Sequence, residues 1–335
     1  MLIIKYILHL ISVLLVCIGA GIYVMHINVS EGFILGVGTH LAGGKRDIIR
    51  TLDMLQEVGV MSIRDDATWS KVEQKPGELK IPAHWDMLVD EALKRGIKVL
   101  WILAYGNPFY DGGQKPKTDE SRAAFARYAA FVASHFKGRV LGYEIWNEWE
   151  LTTGNTSPGS PEDYAALVRA VVPAIRRADP KAKIFVGAVG SKGIREGYLQ
   201  RIIELGVLDG ADFLSLHTYI HCSRDPTPKA WADWMWSLHD KLALWAGKPI
   251  DFYITEMGWP SNEGACGVSE EKQAEFLVDM FMLAEQIPFI KGIWWYDFQN
   301  DGPDRKNREH NFGLVDENFN PKPAYFALDK LWKWK

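Results

Sequence analysis

Two glutamates stand at the ends of apolar segments, where reactive side chains are often found in enzymes. Glu148 ends the stretch 143–148 (YEIWNE), and Glu256 ends the stretch 253–256 (YITE). Either glutamate alone could be a solvated charge or half of an ion pair. Two carboxyl groups that meet in one cleft can take complementary catalytic roles. One protonates a leaving oxygen as a general acid, while the other attacks carbon as a nucleophile or activates water as a general base.

The segments around them follow a repeating pattern of short apolar runs and longer stretches with helical periodicity. The predicted strands cover residues 33–37, 60–63, 99–103, 140–145, 184–188, 213–216, 252–254 and 292–296. The predicted helices cover residues 48–58, 85–95, 121–135, 162–178, 198–205, 229–245, 270–286 and 324–334. Near-continuous apolar strands that alternate with helices are typical of a parallel sheet covered on both faces. Eight such units predict an α/β fold, a single (β/α)8 TIM barrel, with a doubly wound open sheet as the alternative.

Catalytic groups of such barrels lie at the C-terminal ends of the strands. Glu148 follows the fourth predicted strand and Glu256 follows the seventh, so both carboxyl groups reach the same rim. Cleavage of a glycosidic bond needs such a pair, because its oxocarbenium-like transition state is reached with one acidic and one nucleophilic or basic carboxyl group. No linker rich in Pro, Gly or Ser divides the chain, which predicts one catalytic domain over residues 29–335.

Two motifs make the pattern more specific, residues 146–148 (WNE) and residues 254–259 (ITEMGW). They resemble the paired signatures of clan A glycoside hydrolases, in particular family 39 and neighbouring family 5 type enzymes. The resemblance covers nearly all of residues 31–335 in motif order. It implies a retaining O-glycosyl hydrolase that works by double displacement, with Glu148 as acid/base, Glu256 as nucleophile and Asn147 in contact with the sugar 2-hydroxyl.

Other strand ends carry residues that match the same resemblance. It implies that Arg64, after strand two, lies beside the nucleophile together with His217 and Tyr219, after strand six. Packing at the rim is the alternative role for Arg64 and Tyr219. In this group of enzymes a strand-eight tryptophan, here Trp295, forms the floor beneath the sugar. We also expect apolar surroundings to raise the pKa of Glu148, as suits an acid.

Aromatic residues are frequent, with 14 Trp, and several lie near predicted strand ends. These are Trp69, Tyr105, Tyr110, Trp149, Trp259 and Trp295. Sugar faces stack on such rings, so Tyr105, Trp259 and Trp295 are predicted to bind substrate. A row of rings also favours endo action, and together with the N-terminal membrane anchor described next it predicts a bacterial exopolysaccharide as the substrate. The alternatives are an exo-glycosidase that acts on oligosaccharides and a non-catalytic, membrane-tethered protein for polysaccharide binding or assembly.

The N-terminal segment differs from the rest, because residues 7–25 form a run of 19 residues without Asp, Glu, Lys or Arg. As a helix, such a run crosses the hydrocarbon core of a membrane, about 30 Å. Lys5 precedes it, which by the positive-inside rule places the bulk of the chain outside the cytoplasm. We therefore expect a single-pass anchor over residues 1–28 in the cytoplasmic membrane, with the catalytic domain on the periplasmic side. A cleaved signal peptide and secretion are the alternative, since residues 19–21 are small.

Charge and residue types limit the other functions. With 38 Lys plus Arg against 42 Asp plus Glu, the net charge of -4 offers no basic field for nucleic acid. His217 and His221 lack the glutamate of a zinc-binding helix motif, so no metal or other cofactor is expected. The expected partners are a polysaccharide or oligosaccharide and the membrane, in a monomer. Cys222 and Cys266 fall in neighbouring rim loops, where they either form a disulfide in an oxidising compartment or remain two free thiols.

Overall fold

The computed structural model describes residues 32–154 and 156–333, and within them the predicted barrel is confirmed. Its strands are β1 (Ile34–Gly38), β2 (Ser62–Thr68), β3 (Lys98–Ala104), β4 (Gly142–Ile145), β5 (Ile184–Gly190), β6 (Phe213–His217), β7 (Phe252–Met257) and β8 (Ile290–Trp295). Neighbouring strands run parallel, and β1 pairs with both β2 and β8, which closes the sheet. The expected membrane segment at residues 1–28 and the expected helix end at residue 334 lie outside the described residues.

A longer helix follows each strand and covers the outside of the barrel. These helices are α1 (Ile48–Glu57), α2 (Ala83–Lys94), α3 (Asp119–His135), α4 (Pro161–Ala178), α5 (Tyr198–Glu204), α6 (Pro228–Ala246), α7 (Glu270–Gln286) and α8 (Pro323–Lys333). Smaller elements are the helices Trp69–Val72 and Ser191–Arg195 and a hairpin of Glu73–Lys75 with Glu78–Leu79. Helix α4 begins with a cap, since the Ser160 side chain accepts a hydrogen bond from the Asp163 amide and Pro161 takes the first helical position. Across residues 32–154 and 156–333, no helix is both long and apolar enough to cross a membrane.

The barrel has two apolar layers, one inside the strands and one between the strands and the helices. The inner layer consists of Leu100, Leu141, Phe185, Tyr253 and Trp294. Trp294 fills the space that Gly36 leaves on β1, because a Cβ added at residue 36 would lie 2.4 Å from the indole ring. The filled interior leaves the C-terminal mouth of the barrel as the place for chemistry.

Two strands extend further toward the mouth than the apolar pattern predicted. Strand β2 includes Arg64 and Asp65, and β7 includes Glu256, whereas these residues were expected to follow the strand ends. Arg64 and Glu256 face one another across the mouth, whereas Asp65 points the other way and accepts hydrogen bonds from the Leu41 amide and the Thr39 hydroxyl. The strands therefore continue through residues that no longer look apolar, and hydrophobic periodicity misses them.

Candidate active site

The two glutamates that the sequence singles out meet across the mouth of the barrel. After β4 the chain turns sharply, and Trp146 and Glu148 have left-handed backbone angles, with φ of 67° and 47°. Such angles cost about 1–3 kcal/mol each in residues other than glycine, and they occur mainly at functional sites. Glu256 projects from β7. One carboxylate oxygen of Glu148 lies within 4.8 Å of one of Glu256, closer than the separation of about 6.5 Å or more that leaves room for a water between two such groups.

Arg64 is a buried cation that organises the Glu256 side of the site. Its Nη1 donates to Glu256 Oε1 at 2.6 Å, and its Nη2 donates to Asn147 Oδ1 at 2.8 Å. Its Nε donates to Glu144 Oε2 at 2.7 Å. Burial acts to lower the pKa of Arg64, but the charges of Glu144 and Glu256 outweigh it and raise that pKa. Sequence reasoning missed Glu144, although a carboxylate inside an apolar strand signals a cationic partner.

Glu256 is held by two donors on its two oxygens. Arg64 occupies Oε1, and the Tyr219 hydroxyl donates to Oε2 at 2.9 Å. Burial and then the negative charge of Glu256 raise the pKa of Tyr219 well above its usual value, so the hydroxyl keeps its proton and donates. A carboxylate fixed on both sides has a defined direction of attack.

His217 connects the two glutamates from beneath. Its Nε2 lies 3.3 Å from Arg64 Nη2, which can only donate, so the imidazole proton is assigned to Nδ1. Nδ1 then donates to Glu148 Oε1 at 3.0 Å, and Thr153 Oγ1 donates to Glu148 Oε2 at 2.9 Å. Burial acts to raise the pKa of Glu148, but the hydrogen bond and charge of His217, followed by the Thr153 hydrogen bond and the charge of Arg64, outweigh it and lower that pKa. The expected rise is therefore wrong, because polar donors rather than hydrocarbon surround the Glu148 carboxyl group.

A cavity of about 430 Å³ opens above the two glutamates. Of the predicted site residues, those that line it are Arg64, Tyr105, Asn147, Glu148, Tyr219 and Glu256. Asn147 Nδ2 donates to the Tyr105 hydroxyl at 3.1 Å, which ties the two predicted sugar contacts together. Lining residues that the sequence analysis missed include His40, Asp66, Tyr296, Arg308 and Phe312. Asp66 lies two residues beyond Arg64 on β2 and shares its face, so strand alternation was the available signal.

Trp295, predicted as the floor beneath the sugar, does not line this cavity. It is fully buried, and its Nε1 donates to the Phe312 carbonyl at 3.3 Å. Alternation along β8 explains the difference, since Trp294 points into the barrel, Trp295 packs in the outer layer and Tyr296 faces the mouth. Of these three neighbouring aromatic residues, Tyr296 is therefore the one whose ring lines the cavity.

Other predicted contacts also fall on buried side chains. Trp259 is fully buried and donates to the Pro226 carbonyl at 2.8 Å, and Trp69 and Trp149 belong to the same core. The expected row of exposed rings is therefore wrong for four of its six members, which fill the layer between strands and helices. His217 is completely buried and acts on the glutamates rather than on the surface of the cavity.

The catalytic cluster also has the spacing of a metal site. Glu148, His217 and Glu256 each offer one ligand atom, and these atoms lie within 4.8 Å of one another. The same atoms already take part in hydrogen bonds from Arg64 and Tyr219 and between His217 and Glu148. This arrangement suits proton transfer and nucleophilic attack by the carboxylates themselves.

Cys222 and Cys266 form a disulfide, with their Cα atoms 4.8 Å apart. Of the two alternatives left open by the sequence, the bonded one is confirmed. The bond joins the loop after β6 to the loop after β7, and His221, the neighbour of Cys222, lines the catalytic cavity. The disulfide thus supports one wall of the site.

Known proteins resemble this chain over two thirds of its length or more. Endo-1,4-beta-xylanase B of Thermotoga neapolitana is 26% identical over 242 residues, which are 67% of this chain and 65% of that relative. A family 39 glycoside hydrolase from Bacteroides cellulosilyticus WH2 superposes with a TM-score of 0.76 and 27% identity, over 90% of this chain and 64% of its own. GH5_18 from Streptomyces cattleya in complex with GlcNAc superposes with a TM-score of 0.74 and 19% identity, over 90% and 80%.

The sequence also matches a family model. The model is that of Cellulase (glycosyl hydrolase family 5), and it matches residues 31–296. That range contains both glutamates and all eight strands of the barrel. The resemblance to clan A enzymes is thereby confirmed, and this chain belongs to the Cellulase family, glycosyl hydrolase family 5.

Proposed function

We propose that this protein is a retaining glycoside hydrolase in which Glu256 is the nucleophile and Glu148 is the acid/base. The observation that carries the proposal is the approach of one oxygen of the Glu148 carboxylate to within 4.8 Å of one oxygen of the Glu256 carboxylate. Retaining enzymes hold the two groups about 5–5.5 Å apart, whereas inverting enzymes hold them farther apart to admit a water. Membership of glycosyl hydrolase family 5 supports the same reaction class.

The reaction has two steps. Glu256 first attacks the anomeric carbon while Glu148 gives its proton to the leaving oxygen, and a covalent glycosyl enzyme forms. Glu148, now a carboxylate, then takes a proton from a water that attacks the same carbon, and Glu256 leaves. The hydrogen bonds that lower the pKa of Glu148 favour its carboxylate form and therefore suit the second step.

The remaining groups position the reactants. Arg64 and Tyr219 fix the Glu256 carboxylate through its two oxygens. We assign to Asn147 the contact with the sugar 2-hydroxyl, because it lines the cavity and is hydrogen-bonded to Arg64 and Tyr105. Hydrogen bonds to this hydroxyl strengthen as the transition state forms, so Asn147 contributes to rate as well as binding.

The test is the configuration of the first product. Proton NMR during hydrolysis should show the anomer of the substrate before mutarotation, and Glu256→Gln should abolish turnover while keeping the fold. Initial release of the opposite anomer would remove Glu256 as nucleophile. If cells that carry only the Glu256→Gln variant behave like the wild type, the alternative of a non-catalytic polysaccharide-binding protein is favoured instead.

We extend the proposal to endo action on a bacterial exopolysaccharide by a monomer anchored at the outer face of the cytoplasmic membrane. The uncharged run at residues 7–25 supports the anchor, and the Cys222–Cys266 bond supports an oxidising compartment. An anchored enzyme cannot diffuse to remote polymers, so its substrate is a glycan made or exported beside it. Cell fractionation tests the location: recovery of the intact protein in the soluble fraction contradicts the anchor.

An exo-glycosidase is the second candidate. The compact cavity and the burial of Trp69, Trp149, Trp259 and Trp295 favour it, because a long row of exposed stacking rings is not formed by these residues. Product size separates the two candidates. Release of monosaccharides alone from a polymer indicates exo action, whereas early release of oligosaccharides indicates endo action.

A further inference from the structure

A second cavity, of about 340 Å³, lies beside the catalytic one at the barrel mouth. It is formed by the loop after β4, the start of α4 and the segment that leads from β5 into α5. Its walls include Glu150, Leu151, Pro161, Lys192, Tyr198 and Arg201. Leu151 also lines the catalytic cavity, so the two spaces share a wall.

The shared wall lies on the acid/base side of the site. A Cβ added at Gly190 would lie 3.2 Å from Glu150 Oε1 and 3.3 Å from Glu148 Oε1, so the two carboxyl groups flank the same piece of backbone. Glu148 gives its proton to the leaving oxygen, and the departing part of the substrate is therefore on this side. The second cavity lies behind the shared wall on this side of the catalytic cavity.

Glu150 brings an unsatisfied polar group to this wall. Its Oε1 accepts the Gly190 amide at 2.6 Å, whereas its Oε2 is buried and has no hydrogen-bond partner within residues 32–154 and 156–333. Burial, with a smaller contribution from the charge of Glu148, raises the pKa of Glu150 to about 7. A buried polar atom without a partner is costly, and this one belongs to a side chain that lines the second cavity.

The remaining walls fit the two faces of a sugar ring. The half-buried ring of Tyr198 and the side chain of Leu151 offer apolar surface, on which the C–H face of a pyranose packs. Lys192 and Arg201 are exposed and offer donors for hydroxyl groups. Such a mixture of a ring, an aliphatic wall and a few polar groups is typical of ligand sites.

We propose that this second cavity is a leaving-group subsite, which holds one sugar unit of a polysaccharide chain beyond the unit next to the cleaved bond. The inference rests on the proposed glycosidase function and deepens it, because it requires a substrate that extends at least two units past the cleavage point. Occupation of the site adds binding energy for long chains and none for short substrates.

The experiment compares β-1,4-linked xylo-, gluco- and manno-oligosaccharides of two to six units with the matching 4-nitrophenyl glycosides. For the wild-type protein kcat/KM should rise with chain length. Tyr198→Ala and Lys192→Ala should lower kcat/KM about tenfold on the six-unit substrate and less than twofold on the nitrophenyl glycoside. Lys241→Ala, an exposed lysine on α6, is the matched control and should change neither value.

The outcomes keep the two proposals apart. If the wild-type protein is active but the Tyr198→Ala and Lys192→Ala variants affect long and short substrates equally, or neither, the subsite is overturned and the glycosidase function stands. If none of these sugars is cleaved, the six-unit chains are titrated into Glu256→Gln by calorimetry. A tenfold weaker Kd on adding Lys192→Ala supports the subsite, and an unchanged Kd or no binding overturns it.

Discussion

Arg64 makes the two halves of the catalytic site depend on each other. It is bonded to Glu256, to Glu144 and to Asn147, and it touches His217, which in turn holds Glu148. Removing one partner from a buried charge network leaves the others unpaired and costs more than the pair contributed. Each substitution in this network is therefore expected to alter both glutamates.

The pH dependence of the enzyme tests the contact between His217 and Glu148. In the proposed mechanism Glu148 must be protonated to act as the acid, so kcat/KM should be lost as pH rises through its pKa. His217→Ala removes the Nδ1 donor that lowers this pKa, so the pKa rises and the alkaline limb of kcat/KM moves to higher pH. His217→Asn keeps a donor near the position of Nδ1 and should restore the limb toward its original pH. An alkaline limb that moves to lower pH in His217→Ala would contradict this assignment.

The site residues differ in how far the sequence reveals them. Glu148 and Glu256 could be predicted because each stands in a short motif at the end of an apolar strand. Trp295 was misplaced because composition cannot tell a tryptophan that stacks on sugar from one that fills a core. The neighbouring Tyr296 lines the cavity instead. Which of the two side chains faces the cavity depends on the alternation of side chains along β8, and this cannot be read from composition.

At the scale of elements, the alternation of apolar strands and amphipathic helices was sufficient to predict the barrel. All eight strands and all eight longer helices occur where the pattern placed them, within a few residues. The ends of β2 and β7 were missed, since polar partners such as Arg64 and Glu256 satisfy each other inside the mouth. Such pairs form between residues that are far apart in sequence, so the local hydrophobic pattern does not reveal them.

The packing of β1 against β8 can be tested by adding one methyl group. Gly36→Ala would place a Cβ 2.4 Å from the Trp294 ring inside the closed barrel, so it should lower the free energy of unfolding by about 1–3 kcal/mol. Gly43→Ala is the control, because a Cβ there meets no atom within 4 Å, and it should change stability by less than about 1 kcal/mol. Urea denaturation measures both. Equal stability of the two variants would contradict this prediction and show that the Trp294 ring can move to accommodate the added methyl group.

On the scale of the whole molecule, the barrel forms a rigid base and the loops above it complete the cavity. The disulfide between Cys222 and Cys266 spans 44 residues of sequence and connects two of these loops. Arg308, which lines the cavity, contacts Cys222 through Nη1 and Sγ at 3.8 Å. The shape of this wall therefore depends on a covalent bond between distant parts of the chain.

Loss of this bond should lower both stability and activity. Cys222→Ser should reduce the free energy of unfolding by about 3–4 kcal/mol, because the closed loop no longer restricts the unfolded chain. It should also lower kcat/KM, since His221 and Arg308 lose their support. Thermal unfolding with and without dithiothreitol is the measurement. The reductant should lower the Tm of the wild-type protein and leave that of the variant unchanged; an equal effect on both would place the stabilisation elsewhere.

The oxidation state of this cysteine pair also depends on the compartment in which the protein is produced. Material made in a reducing bacterial cytoplasm contains two thiols at residues 222 and 266, whereas exported material contains the closed pair. Preparations with one sequence can then differ in turnover and shelf life. Specific activities from different expression hosts become comparable once the thiol content of each batch has been titrated.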